Sequence, residues 1–376
     1  MKRGVVAGVG LLALVVSALM TWVDIGRARQ YERLVAAGDA AMARHQLAVA
    51  IEAFSGALTL RPESMLAHLR RGDTYRRQGQ LEAARRDLLR ASALDPTAPQ
   101  PLALLGDVAI AEGRYQDAAT FYRRELALDD RDERVLYTLA LALFEAGQLG
   151  DAHDAVQRAL ALDDRVVEAH HLLGVILLAR ERPREALAPL AKAVALDAGF
   201  APAREALAAA FDKAGRRRDS LEQLEALAAL EPGPGRLVSL GMAYAQMGHR
   251  DAAVLALERA SAKAPDNDAV RVALARVWLQ QSEPGPDLSA VRRATDILRP
   301  VIERGHATSE ALTLVGLAAL LAGKPAEAEL TLQQATRLFP VDTSGFRYLS
   351  RAATLLGHAV VARDADRRYA ALVSAD

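Results

Sequence analysis

A small residue returns at a fixed interval through almost the whole chain. Gly38, Gly72, Gly106, Ala140, Gly174 and Ala208 recur at one constant spacing of about 34 residues. Gly241, Ala275, Gly316 and Ser350 continue the row, with one longer step between Ala275 and Gly316. A second row keeps step with the first: Ala50, Ala84, Ala118, Ala152, Ala186, Ser220, Ala253, Ala294, Ala328 and Ala362. Two registers in step confine the chain to an array of like units, each too small to bury its own apolar face, so that neighbours must stack.

Each unit reads as two helices. Leu102, Leu105, Gly106 and Ala109, or Leu136, Leu139, Ala140 and Leu143, stand at offsets of three, four and seven and form one apolar helical stripe. A glycine then breaks the chain at Gly79, Gly113, Gly147, Gly215, Gly248, Gly323 and Gly357, where a left-handed residue ends a helix. The second helix carries small, large, small: Ala50, Phe54 and Ala57 before Pro62, then Ala84, Leu88 and Ala91 before Pro96. The third copy is less regular, with Ala118, Tyr122 and Glu125. Small residues let paired helices approach, and large ones fill the grooves between them. The composition agrees, since 51% hydrophobic but only 5% aromatic residues suit Ala- and Leu-packed helices better than a sheet.

Several functions are disfavoured by what the chain contains. Lys plus Arg equals Asp plus Glu at 47 each, so no net field draws nucleic acid. Without cysteine there is no thiolate nucleophile, disulfide or Cys-held metal. The eight histidines form no metal-ligand pattern, and no phosphate loop, nucleophile elbow or dinucleotide fingerprint appears past the N-terminal segment. Pairs such as Asp129-Asp130 and Asp163-Asp164 fall where helices end, which makes them solvated turns. The expectation is a chain with no enzymatic activity, no cofactor and no metal.

The N-terminus looks different. Lys2 and Arg3 precede an uncharged, mostly apolar stretch from Gly4 to Val23, with Trp22 beside its end. At helical rise it reaches about 30 Å, the thickness of a bilayer core. Residues 1–3 are thus expected in the cytoplasm, 4–23 as a transmembrane helix in the inner membrane, 24–30 as a linker and the rest in the periplasm. The alternative is cleavage after Val16-Ser17-Ala18, which would release a periplasmic protein.

The frame of small and large residues resembles the tetratricopeptide repeat, a helix-turn-helix with Leu-Gly on its first helix and Ala, Phe, Ala and Pro on its second. Ten repeats begin near 31, 65, 99, 133, 167, 201, 234, 268, 309 and 343. The eighth carries an insertion within 280–287, and the last ends in a polar cap. The resemblance implies an all-α, right-handed superhelical solenoid whose hollow side is lined by first helices. It implies groove residues at the second, fifth, sixth, ninth, twelfth and thirteenth places of each repeat. These are an acidic row, Asp39, Asp73 and Asp107, beside Arg70, Arg76 and Arg77. An apolar wall follows from Tyr137, Leu141, Phe144, His171, Val175 and Leu178, and the ninth repeat adds Thr313, Leu317, Leu320 and Leu321. The partner expected there is an extended peptide or an amphipathic helix. The functional expectation is a membrane-tethered scaffold or assembly factor for a bacterial envelope machine such as secretion, pilus assembly, polysaccharide export or cytochrome maturation. A periplasmic adaptor, or an enzyme subunit working on glycan or peptide in the groove, is the alternative.

Overall fold

The computed structural model describes residues 2–280, 287–305 and 307–374, with the side chains of 2–19 and 21 outside the description. Among these residues every regular element is a helix. The chain divides into two compact units, Met1–Arg182 and Pro183–Asp376. The first contains α1 (Lys2–Ala43), α2 (Leu47–Leu60), α3 (Met65–Arg77), α4 (Leu81–Leu94), α5 (Pro99–Ala111), α6 (Tyr115–Leu126), α7 (Glu133–Glu145), α8 (Leu149–Leu162) and α9 (Val167–Ala179). The second contains α10 (Pro183–Leu196), α11 (Ala201–Lys213), α12 (Arg217–Leu230), α13 (Pro234–Gln246), α14 (Arg250–Lys263) and α15 (Asp268–Gln280). It continues with α16 (Leu288–Glu303), α17 (Ser309–Leu321), α18 (Pro325–Ala335), α19 (Ser344–Leu356) and α20 (Ala359–Val373).

Within each unit, odd and even helices pair as hairpins, and each hairpin packs on the next. The small-residue rows explain the pairing. At Gly38 an added β-carbon would meet the Phe54 ring at 2.4 Å, so the α1–α2 crossing exists only because the side chain is absent. Ala50, Phe54 and Ala57 are fully buried on α2, and Ala84, Leu88 and Ala91 on α4. Burial of a side chain such as Phe54 contributes roughly 2–3 kcal/mol. The turn glycines do their separate work at positive φ, as at Gly113 with φ 71°. Among the described residues, His45 and Glu181 occupy the same place in turns without glycine, with φ 57° and 55°.

The first helix requires a correction. The membrane span placed over 4–23, and the linker over 24–30, are not what the structure contains: α1 runs unbroken from Lys2 to Ala43 into the first hairpin. Among the described residues no helix is long and apolar enough to cross a membrane. Where its side chains are described, α1 carries Asp24, Arg27, Arg29, Glu32, Arg33 and Asp39, charges that a bilayer core excludes. From Trp22 onward, every eighteen-residue window of α1 carries at least five of these charges. Most side chains of the 4–23 stretch lie outside the described residues. A bilayer partner, a signal anchor, an inner-membrane location and a tethered scaffold are accordingly set aside. The extra residues of the eighth repeat, 281–286, also lie outside the described residues.

Candidate peptide-binding faces

In the first unit the acidic row is not free. Arg70 Nε stands 3.3 Å from Asp39 Oδ1. Arg76 donates to Asp73 Oδ1 at 2.7 Å and Arg77 Nε to Asp73 Oδ2 at 2.9 Å. Arg76 also lies 3.9 Å from Asp107, whose other oxygen accepts from the Tyr122 hydroxyl at 2.8 Å. The result is a ladder across α1, α3 and α5, three carboxylates balanced by three guanidinium groups. Its spacing comes from the repeat itself, because the ninth place of the first helix returns once per repeat. The exposed rungs contribute at most about 1 kcal/mol each. Burial, with the negative charge of Asp107 beside it, pushes the Tyr122 phenol far above its ordinary range.

The remaining expected groove residues of this unit sit on α7 and α9. Tyr137, Leu141 and Phe144 on α7 are half-buried and pack against the core formed by α5 to α9. His171, Val175 and Leu178 on α9 are half-buried as well. Burial raises the pKa of Tyr137, with Glu168 adding to the effect, and lowers that of His171, leaving the imidazole less ready to take a proton. The unit thus carries a charge-balanced wall on α1, α3 and α5 and an apolar one on α7 and α9, two helices in direct contact.

Behind this wall lies Glu125 on α6. It is 5% exposed, and its Oε2 has no hydrogen-bond partner. Burial lifts its pKa to about 7, opposed by Arg134 and helped by Asp132, Asp107 and Asp129. In the two preceding repeats this place holds Ala57 and Ala91.

The second unit holds a row of three cavities. One of about 630 Å³ is lined by Glu205, Asp212, Ser239 and Met242 among others. A second of about 330 Å³ shares Met242 with it and extends past Val238, Val272 and Arg276 to Glu310. A third of about 810 Å³ shares Arg276 and Glu310 and continues over Leu314 and Leu317 to Phe339 and Tyr348. The three adjoin along α11, α13, α15, α17 and α19, with Arg276 of α15 and Glu310 of α17 ion-paired.

Of the residues expected in the ninth repeat, Leu317, Leu320 and Leu321 all belong to the core, and Leu317 also lines the third cavity. Thr313 is fully buried, close against Gly345. Met242, Arg276 and Tyr348 were missed, although they stand at the ninth, ninth and sixth places of their repeats, the places already applied to the earlier ones. Phe339 lies in a connection between repeats, where that rule has no reach. Among the described residues no group of three or more His, Asp or Glu side chains converges as a metal site.

Stacked hairpins with a lined first-helix face define a repeat protein of the helical-hairpin class. A family model described as the cilia and flagella-associated protein 70 C-terminal domain matches residues 27–214, which is 188 of 376, and one described as tetratricopeptide repeat matches 238–297. The chain belongs to the family of the first model and is a tetratricopeptide-repeat protein. No curated protein sequence matches it. Among solved structures, it is similar to the C-terminal part of a repeat-containing protein from Cytophaga hutchinsonii, with 16% identity, TM-score 0.56, and 63% of this chain and 98% of that one covered. It is also similar to a tetratricopeptide repeat protein from Parabacteroides merdae, with 17% identity, TM-score 0.50, and 66% and 99% covered. Both likenesses concern the fold.

Proposed function

We propose that this chain is a protein-binding adaptor that holds a partner polypeptide on the first-helix face of its second unit and acts by binding rather than catalysis. The observation that supports this reading is the continuity, through Met242, of the cavities of about 630 and 330 Å³. An extended peptide lies along a line of adjoining cavities better than a compact small molecule does, and the mixed lining offers apolar contacts with charged groups spaced between them. The first unit, with its ladder already paired and its apolar wall half-buried, has less unmet capacity.

The chain has no cysteine, so one can be placed at will. A photoreactive label on Met242→Cys should capture a polypeptide partner, while the same label on Leu255→Cys, exposed on the second-helix face at α14, should not. Equal capture from both positions would count against the proposal.

A further inference from the structure

One place in the repeat frame breaks its own rule. The residue just before the repeat-ending proline is Arg61, Asp95 and Glu231 in three repeats, Asp129, Asp163 and Asp197 hold the same place in three others, and Ala264 and Gly305 hold it in the seventh and eighth. Each is charged or too small to expose much apolar surface. In the ninth repeat it is Phe339, and the side chain is 96% exposed. Helix α18 stops at Ala335, so residues 336–343 connect to α19 as a run of eight, where the α2–α3 connection has four. Leu338 and Phe339 therefore leave the helix instead of continuing it. Fully exposing a phenyl ring forgoes roughly 2–3 kcal/mol of burial, and with exposed Leu338 and the apolar cavity beside it Phe339 belongs to a contiguous apolar patch rather than standing alone.

That cavity is adjacent. Phe339 forms part of the rim of the 810 Å³ space floored by Leu314, Leu317 and Tyr348. Plug and socket thus occupy one patch, which is the condition for a two-fold interface: the same surface on both copies, residue i meeting j while j meets i. The charges on the patch obey the same condition. Arg347, in the first turns of α19, stacks over Tyr348 at 5.9 Å and makes no ion pair among the described residues. Asp342, just ahead of α19, uses one carboxylate oxygen on Ser344 and likewise has no cationic partner among the described residues. Two copies related by a dyad would place each carboxylate near the other's guanidinium.

We infer that a second copy of this chain docks on the C-terminal end of the second unit, each Phe339 entering the other's rim cavity and Asp342 of each copy pairing with Arg347 of the other. This goes beyond the adaptor reading, since it assigns the end of the face to self-association and leaves the Met242 region for a partner.

Light scattering and sedimentation of the full chain, over roughly a hundredfold range of concentration, test it. The expected result is a concentration-dependent dimer. Phe339→Ser, harmless to folding because the ring touches solvent, should weaken association about tenfold or more. Arg347→Asp should weaken it too, and adding Asp342→Arg to Arg347→Asp should restore it. Leu255→Ser, on the other face, should change nothing. A monomer at every concentration, a dimer indifferent to Phe339→Ser, or a double charge exchange no better than Arg347→Asp alone would overturn the inference. None of these outcomes depends on whether Met242 contacts a partner.

Discussion

The Tyr122 ring occupies the space that the missing side chain of Gly106 leaves open, 2.4 Å from where a β-carbon would stand. Helices α5 and α6 owe their close approach to that vacancy. Elsewhere the same two places change together: Gly38 faces Phe54, Gly72 faces Leu88, and Ala140 has Val156 at the matching place. Bulk on one helix is balanced by its absence on the other.

Gly106→Ala should therefore destabilise the chain by roughly 1–3 kcal/mol through overpacking against the fully buried Tyr122 ring. Combining it with Tyr122→Val, which reproduces the neighbouring Ala140 and Val156 pair, should recover part of the loss relative to the sum of the single changes. Urea unfolding of the four chains measures the coupling, and strict additivity would contradict the account.

Glu125 should make stability fall as pH rises. Its carboxyl titrates near 4.5 in an unfolded chain and at about 7 in place. Below the first value both states hold the proton and the group is neutral to folding. Between the two, the unfolded state ionises while the folded state does not, so folding is penalised progressively, and fully above about pH 7. Glu125→Ala, the residue of the preceding repeats, should raise stability by about 1–3 kcal/mol at pH 8 and change it little near pH 4. Urea midpoints at the two pH values decide this; a gain that is the same at both would contradict it.

His45 holds a left-handed turn that eight glycines take elsewhere among the described residues. A β-carbon there costs about 1 kcal/mol or somewhat more. His45→Gly should raise the melting temperature of the first unit, by an amount near that cost less the added freedom of the unfolded chain. A fall in melting temperature would show that the imidazole makes a contact outweighing the strain.

Asp73 is the most buried rung of the ladder, at 8% exposure, and neutralises two arginines of its own helix. Asp73→Asn should cost about 1–2 kcal/mol, most of it from leaving Arg76 and Arg77 without their charge partner. The loss should shrink in high salt, because Arg77 stays about half exposed. Urea midpoints at low and high ionic strength check the direction.

Much of the fold was legible because the repeat makes the same physical demand many times. Any one of Gly38, Phe54 or Ala57 would say little, but their recurrence fixes helix, turn and pairing together. The N-terminal stretch misled for the opposite reason. It occurs once, its length and hydropathy match a bilayer, and nothing local reveals that Asp24 through Ala43 continue the same helix. The candidate site was legible only by place number. That rule located Tyr137, Leu141 and the acidic row, but it could not show that Arg70, Arg76 and Arg77 already satisfy those carboxylates. Pairing depends on side-chain reach between neighbouring first helices. Nor could it mark Thr313 as core, since Gly345 closes over it from the following repeat.

The most direct measurement is hydrogen exchange of the whole chain with and without the polypeptide captured at Met242. The account predicts slowed exchange on α11, α13 and α15, the first helices that line the cavities meeting at Met242, with α14 and α16 unchanged. Protection confined to α14 and α16, or to neither set, would contradict it.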